Sequence, residues 1–187
     1  MKQAGIKTIK RRRQENKTDY GKRLKLLKGE TPRLVLRKTN RYLIAQYISS
    51  KEAQDKIEFG VTSKILLEYD FPKEGNLKSV TASYLFGYYL GNKISKEKIS
   101  KPIIDFGMAK TIHKNKIYAF IKGLIDSGLE ISCKEEAFPD EDRINGKHLK
   151  NKVNVPEIIK KISGSSKLEN KILDDIKVKT KIEKNIK

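Results

Sequence analysis

The chain contains 187 residues, of which 42 are Lys or Arg and 23 are Asp or Glu, so its formal net charge is +19. No apolar run approaches the roughly 18 to 20 residues of a membrane-spanning helix, and no apolar stretch typical of a secretion signal follows the polybasic N-terminus. One cysteine, Cys133, and two histidines provide neither a disulfide framework nor a Cys/His zinc cluster. We therefore expect a cytoplasmic protein with no cofactor and no metal.

The positive charge is concentrated at the two ends of the chain. Residues 1–41 carry 15 basic and 3 acidic side chains, residues 42–139 carry 14 and 12, and residues 140–187 carry 13 and 8. A charge that served only solubility would be spread along the sequence. The distribution predicts a nearly neutral folded middle with basic ends that bind an anionic partner.

The first 17 residues contain few apolar side chains and the basic run Lys10–Arg13. Such a segment cannot bury enough surface to offset its ordering entropy. We predict an extended arm over residues 1–17 that becomes ordered on its partner. A nuclear-type address or a solvated tail is the alternative for an isolated basic run. The basic run is not isolated, which argues against this alternative. Cations continue into the sequence that is predicted to be structured, at Lys17, Lys22, Arg23, Lys25, Lys28, Arg33, Arg37, Lys38 and Arg41.

The next segment predicts a short helix and three strands. Thr18 or Asp19 can cap a helix that carries Tyr20, Leu24 and Leu27 on one face and ends at Gly29. Residues 33–37 and 42–48 predict two strands joined by a turn at residues 38–41, as in a hairpin. The alternation of Ile57, Phe59 and Val61 with polar or small residues predicts a half-buried third strand.

The later elements alternate between helices and short strands. Helical spacing of Tyr84, Leu85, Tyr88 and Tyr89 predicts a helix over 79–93, in which Gly87 and Gly91 allow close packing. Residues 102–106 predict a buried strand, residues 117–125 the clearest amphipathic helix, and residues 129–133 a last strand. Pro156 opens a further helix, and a capping-box pattern at residues 166–169 predicts a final short one.

Together these elements predict an α/β fold, with a single sheet domain in the order three strands, helix, strand, helix. We assign residues 1–17 to a basic arm and residues 18–150 to the sheet domain with its packed helices. Residues 151–187 are assigned to a helical C-terminal extension with a lysine-rich tail.

An enzymatic function has no positive support in the sequence. The same order of elements occurs in ribonuclease-H-like nucleases, whose two-metal chemistry requires several carboxylates that converge on one sheet. Here the centre of the first predicted strand is Leu34–Leu36, and the later acids Asp105 and Asp126 fit ordinary hydrogen-bonding roles at the ends of elements. Neither a glycine-rich phosphate loop nor a nucleophile elbow is present. We therefore predict no catalytic residue.

Nucleic acid is the partner that the cations fit best, because Lys and Arg clusters release counterions when they neutralise phosphates. The basic stretch is not a long amphipathic helix of the kind that binds membranes. No helix-turn-helix, zinc-finger or basic-zipper pattern indicates entry into a DNA major groove. Tyr20, Thr39, Asn40 and Tyr42 alternate with cations, which suits stacking and 2′-hydroxyl contacts on folded RNA.

An ordered set of short motifs points to one family. Arg11-Arg12-Arg13 is followed by residues 17–20, Arg23-Leu24, Pro32-Arg33 and the hairpin sequence Thr39-Asn40-Arg41. The set continues with Gly75-Asn76, Tyr84-Leu85, Gly87, Asp105-Phe106-Gly107, Thr111, Lys116-Ile117-Tyr118-Ala119, Lys122-Gly123, Asp126-Ser127-Gly128-Leu129, Phe138-Pro139, Arg143, Gly146 and His148. Over residues 8 to about 150, the chain resembles the archaeal and eukaryotic form of the 5S rRNA-binding family of the large ribosomal subunit. The loop after Gly107 departs from the Thr- and Gly-rich family pattern.

The resemblance implies a structural ribosomal protein, bound to the ribosome in the cytoplasm, whose partners are 5S rRNA, large-subunit rRNA and neighbouring proteins of the central protuberance. It implies that the arm and the first helix contact RNA and that the hairpin forms a second contact, while residues near position 145 form a weaker third patch. The predicted RNA-binding residues are Lys7, Lys10, Arg11, Arg12, Arg13, Lys17, Thr18, Tyr20, Lys22, Arg23, Arg37, Lys38, Thr39, Asn40, Arg41, Arg143, Lys147 and His148.

Two alternatives to a ribosomal protein remain at this point. One is an RNA-binding assembly factor or chaperone with the same distribution of charge, and the other is a metal-dependent nuclease. Asp19 has two readings as well, because its carboxylate can cap the first helix or accept a hydrogen bond from a 2′-hydroxyl or an arginine. We favour the cap, since a carboxylate repels phosphate.

Overall fold

The computed structural model describes residues 8–52, 54–73, 75–97, 99–149 and 153–164. Two short helices, α1 (Arg11–Gln14) and α2 (Tyr20–Lys28), precede the strands β1 (Arg33–Lys38), β2 (Leu43–Lys51) and β3 (Gln54–Thr62). Consecutive strands pair in antiparallel fashion, with Lys38 opposite Leu43 at the first turn. The predicted first helix, hairpin and third strand are thereby confirmed.

The second half of the fold lays helices on the sheet. A 3-10 helix (Ser63–Tyr69) leads to α3 (Val80–Lys96), β4 (Ile103–Asp105) and α4 (Lys116–Asp126). A second 3-10 turn (Glu135–Ala137), α5 (Glu141–Ile144) and α6 (Val155–Gly164) follow. The sheet has the order β3-β2-β1-β4, and β4 is parallel to β1. This architecture confirms the predicted α/β class and the order three strands, helix, strand, helix.

The hydrophobic core lies between one face of the sheet and the pair α3 and α4. Alternate residues of β1 and β2 face it, and all are buried: Leu34, Leu36, Leu43, Ala45 and Tyr47. The helices contribute Tyr84, Leu85, Phe86, Tyr89, Leu90, Phe120 and Leu124. Because alternate strand residues face opposite sides of a sheet, Arg33, Val35 and Arg37 belong to the outer face, away from α3 and α4.

Helices α3 and α4 approach each other at glycines. A Cβ atom added to Gly87 would lie 2.2 Å from the carbonyl oxygen of Phe120, and one added to Gly123 would lie 2.1 Å from that of Tyr84. At Gly91 the added atom would lie 1.7 Å from Ser127 Oγ. The close packing that the sequence predicted at Gly87 and Gly91 is confirmed, and it leaves no room for a side chain.

Two predictions of extended backbone are wrong. Residues 129–133 form no strand, because the helix α4 closes through Gly128, at φ 101°, and the Leu129 amide donates to the Leu124 carbonyl oxygen. Leu129 is buried by the core without strand pairing. The arm is not extended at Arg11–Gln14, where the amides of Lys17 and Thr18 close the helical turn on the carbonyl oxygen of Arg12. Residues 1–7 of the predicted arm lie outside the described residues.

The third strand follows the predicted alternation over only part of its length. A bulge shifts the register so that Phe59 pairs with Tyr47 whereas Ile57 pairs with Ile48, leaving Glu58 as the extra residue. Phe59 stacks on Tyr47, with ring centroids 5.3 Å apart. Ile57 is 52% exposed, so its predicted burial is wrong, because the bulge pairs it with Ile48 of the outer face and thereby turns it away from the core. Phe59 and Val61 are partly buried against the core, as predicted.

Helix α6 packs against α3. Its apolar residues Val155, Ile158 and Ile162 are buried, and Lys161 forms an ion pair with Asp70 after the 3-10 helix. The helix predicted from Pro156 is thereby confirmed. The final short helix and the lysine-rich tail lie outside the described residues. Within the described ranges, every helix is too short or too polar to cross a bilayer.

We predict that Gly87→Ala lowers the free energy of unfolding by about 3 kcal/mol, because the new methyl group must displace the backbone of α4. Gly164→Ala is the matched control, since no described residue beyond the helix itself comes within 4 Å of a Cβ at that position. Urea denaturation of both variants measures the effect. Equal stability of the two variants would contradict the glycine contact.

Candidate nucleic-acid interface

Helix α2 and the segment before it cover the outer face of the sheet and enclose a cavity of about 410 Å³. The strands supply its floor through Arg33, Val35 and Arg37 of β1 and Gln46 and Ile48 of β2. The remaining lining residues are Arg12, Lys17, Thr18, Asp19, Tyr20, Lys22, Arg23, Leu26, Asp55, Asp105 and Gly107. Six of the sequence-predicted residues of the arm and the first helix therefore meet at one site, and Arg37 joins them there, whereas Lys10, Arg11 and Arg13 do not line the cavity: the six are Arg12, Lys17, Thr18, Tyr20, Lys22 and Arg23.

Asp19 positions the start of α2 at the rim of this cavity. Its Oδ1 accepts hydrogen bonds from the amides of Gly21, at 3.0 Å, and Lys22, at 3.1 Å. The predicted N-cap is confirmed. Lys10 Nζ lies 4.6 Å from the centroid of the Tyr20 ring, and Arg12 Nε donates to Thr18 Oγ1 at 2.9 Å. These contacts hold the basic segment against α2.

Arg33 lies at the bottom of the cavity and is 3% exposed. One of its terminal nitrogens donates to Asp55 Oδ1, at 2.6 Å, and to Ser50 Oγ, at 3.0 Å. Its other terminal nitrogen lies 3.7 Å from Asp105 Oδ2. A buried cation is tolerated when carboxylates and hydrogen bonds compensate for its lost hydration, and Arg33 has both. The charge of Arg33 is therefore neutralised inside the protein.

Asp55 connects this buried arginine to α2. Its Oδ2 accepts a hydrogen bond from Arg23 at 2.9 Å. Partial burial acts to raise the pKa of Asp55, but hydrogen bonds from Arg23 and Ser50 and the charges of Arg33 and Arg23 outweigh it and lower that pKa. Asp55 is thus an ionised bridge between α2 and the sheet.

Asp105 has the strand-end role that the sequence suggested. Its Oδ1 accepts the Gly107 amide at 2.8 Å and lies 3.9 Å from Lys22 Nζ. Gly107, at φ 59°, lets the Arg37 guanidinium pass so closely that an added Cβ would lie 2.1 Å from it. Asp126 accepts the Tyr84 hydroxyl at 2.8 Å. In the described ranges no three metal-binding side chains are grouped, so the nuclease hypothesis gains no site.

The hairpin tip is a small, closed structure. Thr39 Oγ1 donates to the Tyr42 carbonyl oxygen at 2.6 Å and accepts the Tyr42 amide at 3.1 Å. Asn40 and Arg41 stand exposed between these two residues. Lys64 Nζ lies 4.8 Å from the centroid of the Tyr42 ring. Thr39 is therefore a residue that shapes the turn, and the tip presents the side chains of Asn40 and Arg41.

Several predicted cations have no carboxylate partner. Glu15 forms ion pairs with Arg11 and Lys17, whereas in the described part of the chain Arg13, Arg37, Lys38 and Arg41 form no ion pair. These four side chains are exposed. They extend from the arm to the hairpin, and they present positive charge that the described residues do not neutralise.

The third predicted patch stands apart from this surface. Arg143 ends the last turn of α5, where its carbonyl oxygen accepts the Thr81 hydroxyl at 3.2 Å. Lys147 forms an ion pair with Asp142, and His148 is exposed. None of the three lines the cavity under α2. Lys7 lies outside the described residues, so its place in the site stays a prediction.

Sequence reasoning missed the internal part of the site. Arg33 was grouped with the cations available to an RNA, although it is buried and paired with two acids. Asp55 was assigned no role. A signal was present for Arg33, because it directly precedes the apolar residues Leu34, Val35 and Leu36. The partner Asp55 lies 22 residues away in sequence, and no local pattern relates the two.

Comparison with known proteins identifies similar chains. Residues 5–101 match the family model described as ribosomal large subunit proteins 60S L5 and 50S L18. The large ribosomal subunit protein uL18 of Korarchaeum cryptofilum is 42% identical over 139 residues, which are 74% of this chain and 70% of that protein. The uL18 protein of Thermoplasma acidophilum is 38% identical over 155 residues, covering 83% of this chain and 94% of that protein.

We predict that Asp55→Asn lowers the free energy of unfolding at pH 7 by about 2 kcal/mol, because it weakens charged hydrogen bonds and leaves Arg33 less compensated. The folded-state pKa of Asp55 is lowered, so the wild-type advantage is fully present above the ordinary Asp pKa of about 4. It is lost as the pH falls through the lowered value.

Chemical denaturation of both proteins between pH 7 and pH 2 measures this difference. Asp70→Asn is the matched control, because Asp70 forms an exposed ion pair with Lys161 and surface pairs contribute little. A stability difference between wild type and Asp55→Asn that is the same at pH 7 and at pH 2 would refute the role of the Asp55 charge.

Proposed function

We propose that this chain, which belongs to the family of ribosomal large subunit proteins 60S L5 and 50S L18, binds 5S rRNA and helps attach it to large-subunit rRNA in the central protuberance. Membership in this family makes the chain a structural, ribosome-bound protein of the large subunit and not an enzyme. The predictions of a ribosomal protein and of no catalytic function are confirmed. The assembly-factor and nuclease hypotheses are set aside on the same ground.

The observation that carries the proposal is the unneutralised charge on one surface. Arg13, Arg37, Lys38 and Arg41 are exposed and unpaired among the described residues, while Arg33 and Arg23 occupy the nearby carboxylate Asp55. Phosphates that approach this surface therefore meet cations without displacing an internal acid. Counterion release from the RNA then supplies much of the binding free energy.

The arm and the hairpin are suited to different tasks. Successive residues of a helical turn point about 100° apart, so Arg11, Arg12 and Arg13 can reach more than one RNA segment. This geometry supports an arm placed between 5S rRNA and large-subunit rRNA. The hairpin tip is fixed by Thr39, so Asn40 and Arg41 hold a defined position and can recognise shape.

The remaining predicted contacts fit around these two regions. Lys10, Lys17, Thr18, Tyr20, Lys22 and Arg23 surround the cavity or hold the arm against α2, and Arg37 and Lys38 connect them to the hairpin. Arg143, Lys147 and His148 form a peripheral contact, in which Lys147 exchanges Asp142 for phosphate. Lys7, which lies outside the described residues, stays a predicted contact.

We predict that replacing Arg11, Arg12 and Arg13 together by Ala weakens binding to 5S rRNA and to unrelated RNA, and reduces the salt slope by about two to three units. Replacement of the same three residues by Lys keeps the charge and is the matched control. Filter binding between 50 and 400 mM salt gives the slopes. An unchanged slope in the Ala variant would show that the arm does not contact phosphates.

We predict that Asn40→Ala combined with Arg41→Ala reduces affinity for 5S rRNA roughly tenfold more than affinity for an unrelated folded RNA, since the tip recognises shape. Lys51→Ala with Gln54→Ala is the control, because it removes one cation and one amide at the opposite hairpin, between β2 and β3. Competition binding measures both. Equal losses on the two RNAs would exclude the tip from specificity.

A further inference from the structure

Three lysines gather where β1, α3 and α4 meet. Lys38 ends β1, Lys78 directly precedes the cap residue of α3, and Lys116 is the first residue of α4. Ser63 connects this region to the hairpin, because its Oγ accepts the Leu43 amide at 3.0 Å and donates to the Leu77 carbonyl oxygen at 2.8 Å. The start of α3 and the hairpin therefore share one end of the molecule, and Lys116 at the start of α4 lines one groove together with Lys38.

The three lysines have no carboxylate partner within the described ranges, and the first turns of α3 and α4 contain no acidic residue. Burial, together with the charges of Lys78 and Lys38, lowers the pKa of Lys116. Asp140, which follows α4 in the chain, forms its ion pair with Lys114 and not with Lys116. The lysines thus repel one another, and no acid of the described ranges forms an ion pair with them.

Lys38 and Lys116 also border an apolar groove of about 300 Å³. Leu36, Leu43, Phe106, Met108 and Ile117 form most of its floor, and its lining contains no carboxylate. Lys17 and Arg37 complete the basic rim, and both also line the cavity under α2. The groove is therefore continuous with the proposed RNA surface.

We infer that Lys38, Lys78 and Lys116 form an additional RNA contact that binds the phosphodiester backbone and extends the interface from the hairpin to the ends of α3 and α4. This inference rests on the proposed function. RNA fits better than an acidic protein segment, because an exposed lysine–carboxylate pair contributes little, whereas a polyanion also releases counterions. Bound phosphates would relieve the repulsion among the three side chains.

The test compares Lys78→Gln combined with Lys116→Gln against wild type on 5S rRNA. We expect a salt slope smaller by roughly 1.5 units and an affinity about tenfold lower at moderate salt, because two phosphate contacts are lost. Lys51→Gln with Lys96→Gln is the matched control. These two exposed lysines lie at the far ends of β2 and α3 and should leave the slope unchanged.

Chemical modification of lysines in the wild-type complex provides a second measurement. We expect 5S rRNA to protect Lys78 and Lys116 and to leave Lys51 and Lys96 reactive. If wild type binds but the double variant keeps its affinity and slope, the additional contact is refuted. Protection that arises in whole subunits but not in the binary complex would also overturn it, by assigning the lysines to another neighbour. Failure of wild type to bind 5S rRNA refutes the proposed function instead.

Discussion

The interaction of Arg33 with Asp55 and Asp105 determines what the outer face of the sheet can bind. Arg33 belongs to β1, Asp55 to β3 and Asp105 to β4, so one buried guanidinium connects the central part of the sheet to both of its edges. Arg23 of α2 also forms an ion pair with Asp55. The helix that presents the basic segment is thereby held by the same charges that hold the strands. Asp55 and Asp105 therefore form their ion pairs inside the protein, and the exposed cations near them remain available to a partner.

The cations that pair with acids inside the protein thus differ from the cations that are available to bind RNA. Arg33 is buried and compensated, while Arg37, four residues further along the same strand, is exposed and passes over Gly107. Lys38 follows at the hairpin and lines one groove with Lys116 at the start of α4. A single strand therefore leads from the interior of the protein to the proposed RNA surface. The proposed RNA surface extends from the arm over the hairpin to the starts of α3 and α4.

Local pattern predicted most of the fold, because α2, the hairpin, α4 and α6 each carry a cap, a period or a turn signal within a few residues. The failures at Ile57 and at residues 129–133 have non-local causes, since a bulge reversed one side chain and the core buried Leu129 without strand pairing. Charge clustering indicated the arm and hairpin residues as a proposed site. It did not reveal that Arg33 pairs with Asp55 or that the charge of Lys78 acts on Lys116. Only the tertiary fold brings these residues together.

The bulge in β3 has a consequence for the protein before any RNA is present. An open sheet offers unpaired backbone groups along its outermost strands, and two such borders can join and aggregate. Here β3 carries Asp55, Lys56 and Glu58 and is kinked by the extra residue, while the opposite border, β4, is three residues long. Neither border is a flat template for a second molecule. Edge-to-edge association of freshly synthesised copies is therefore disfavoured.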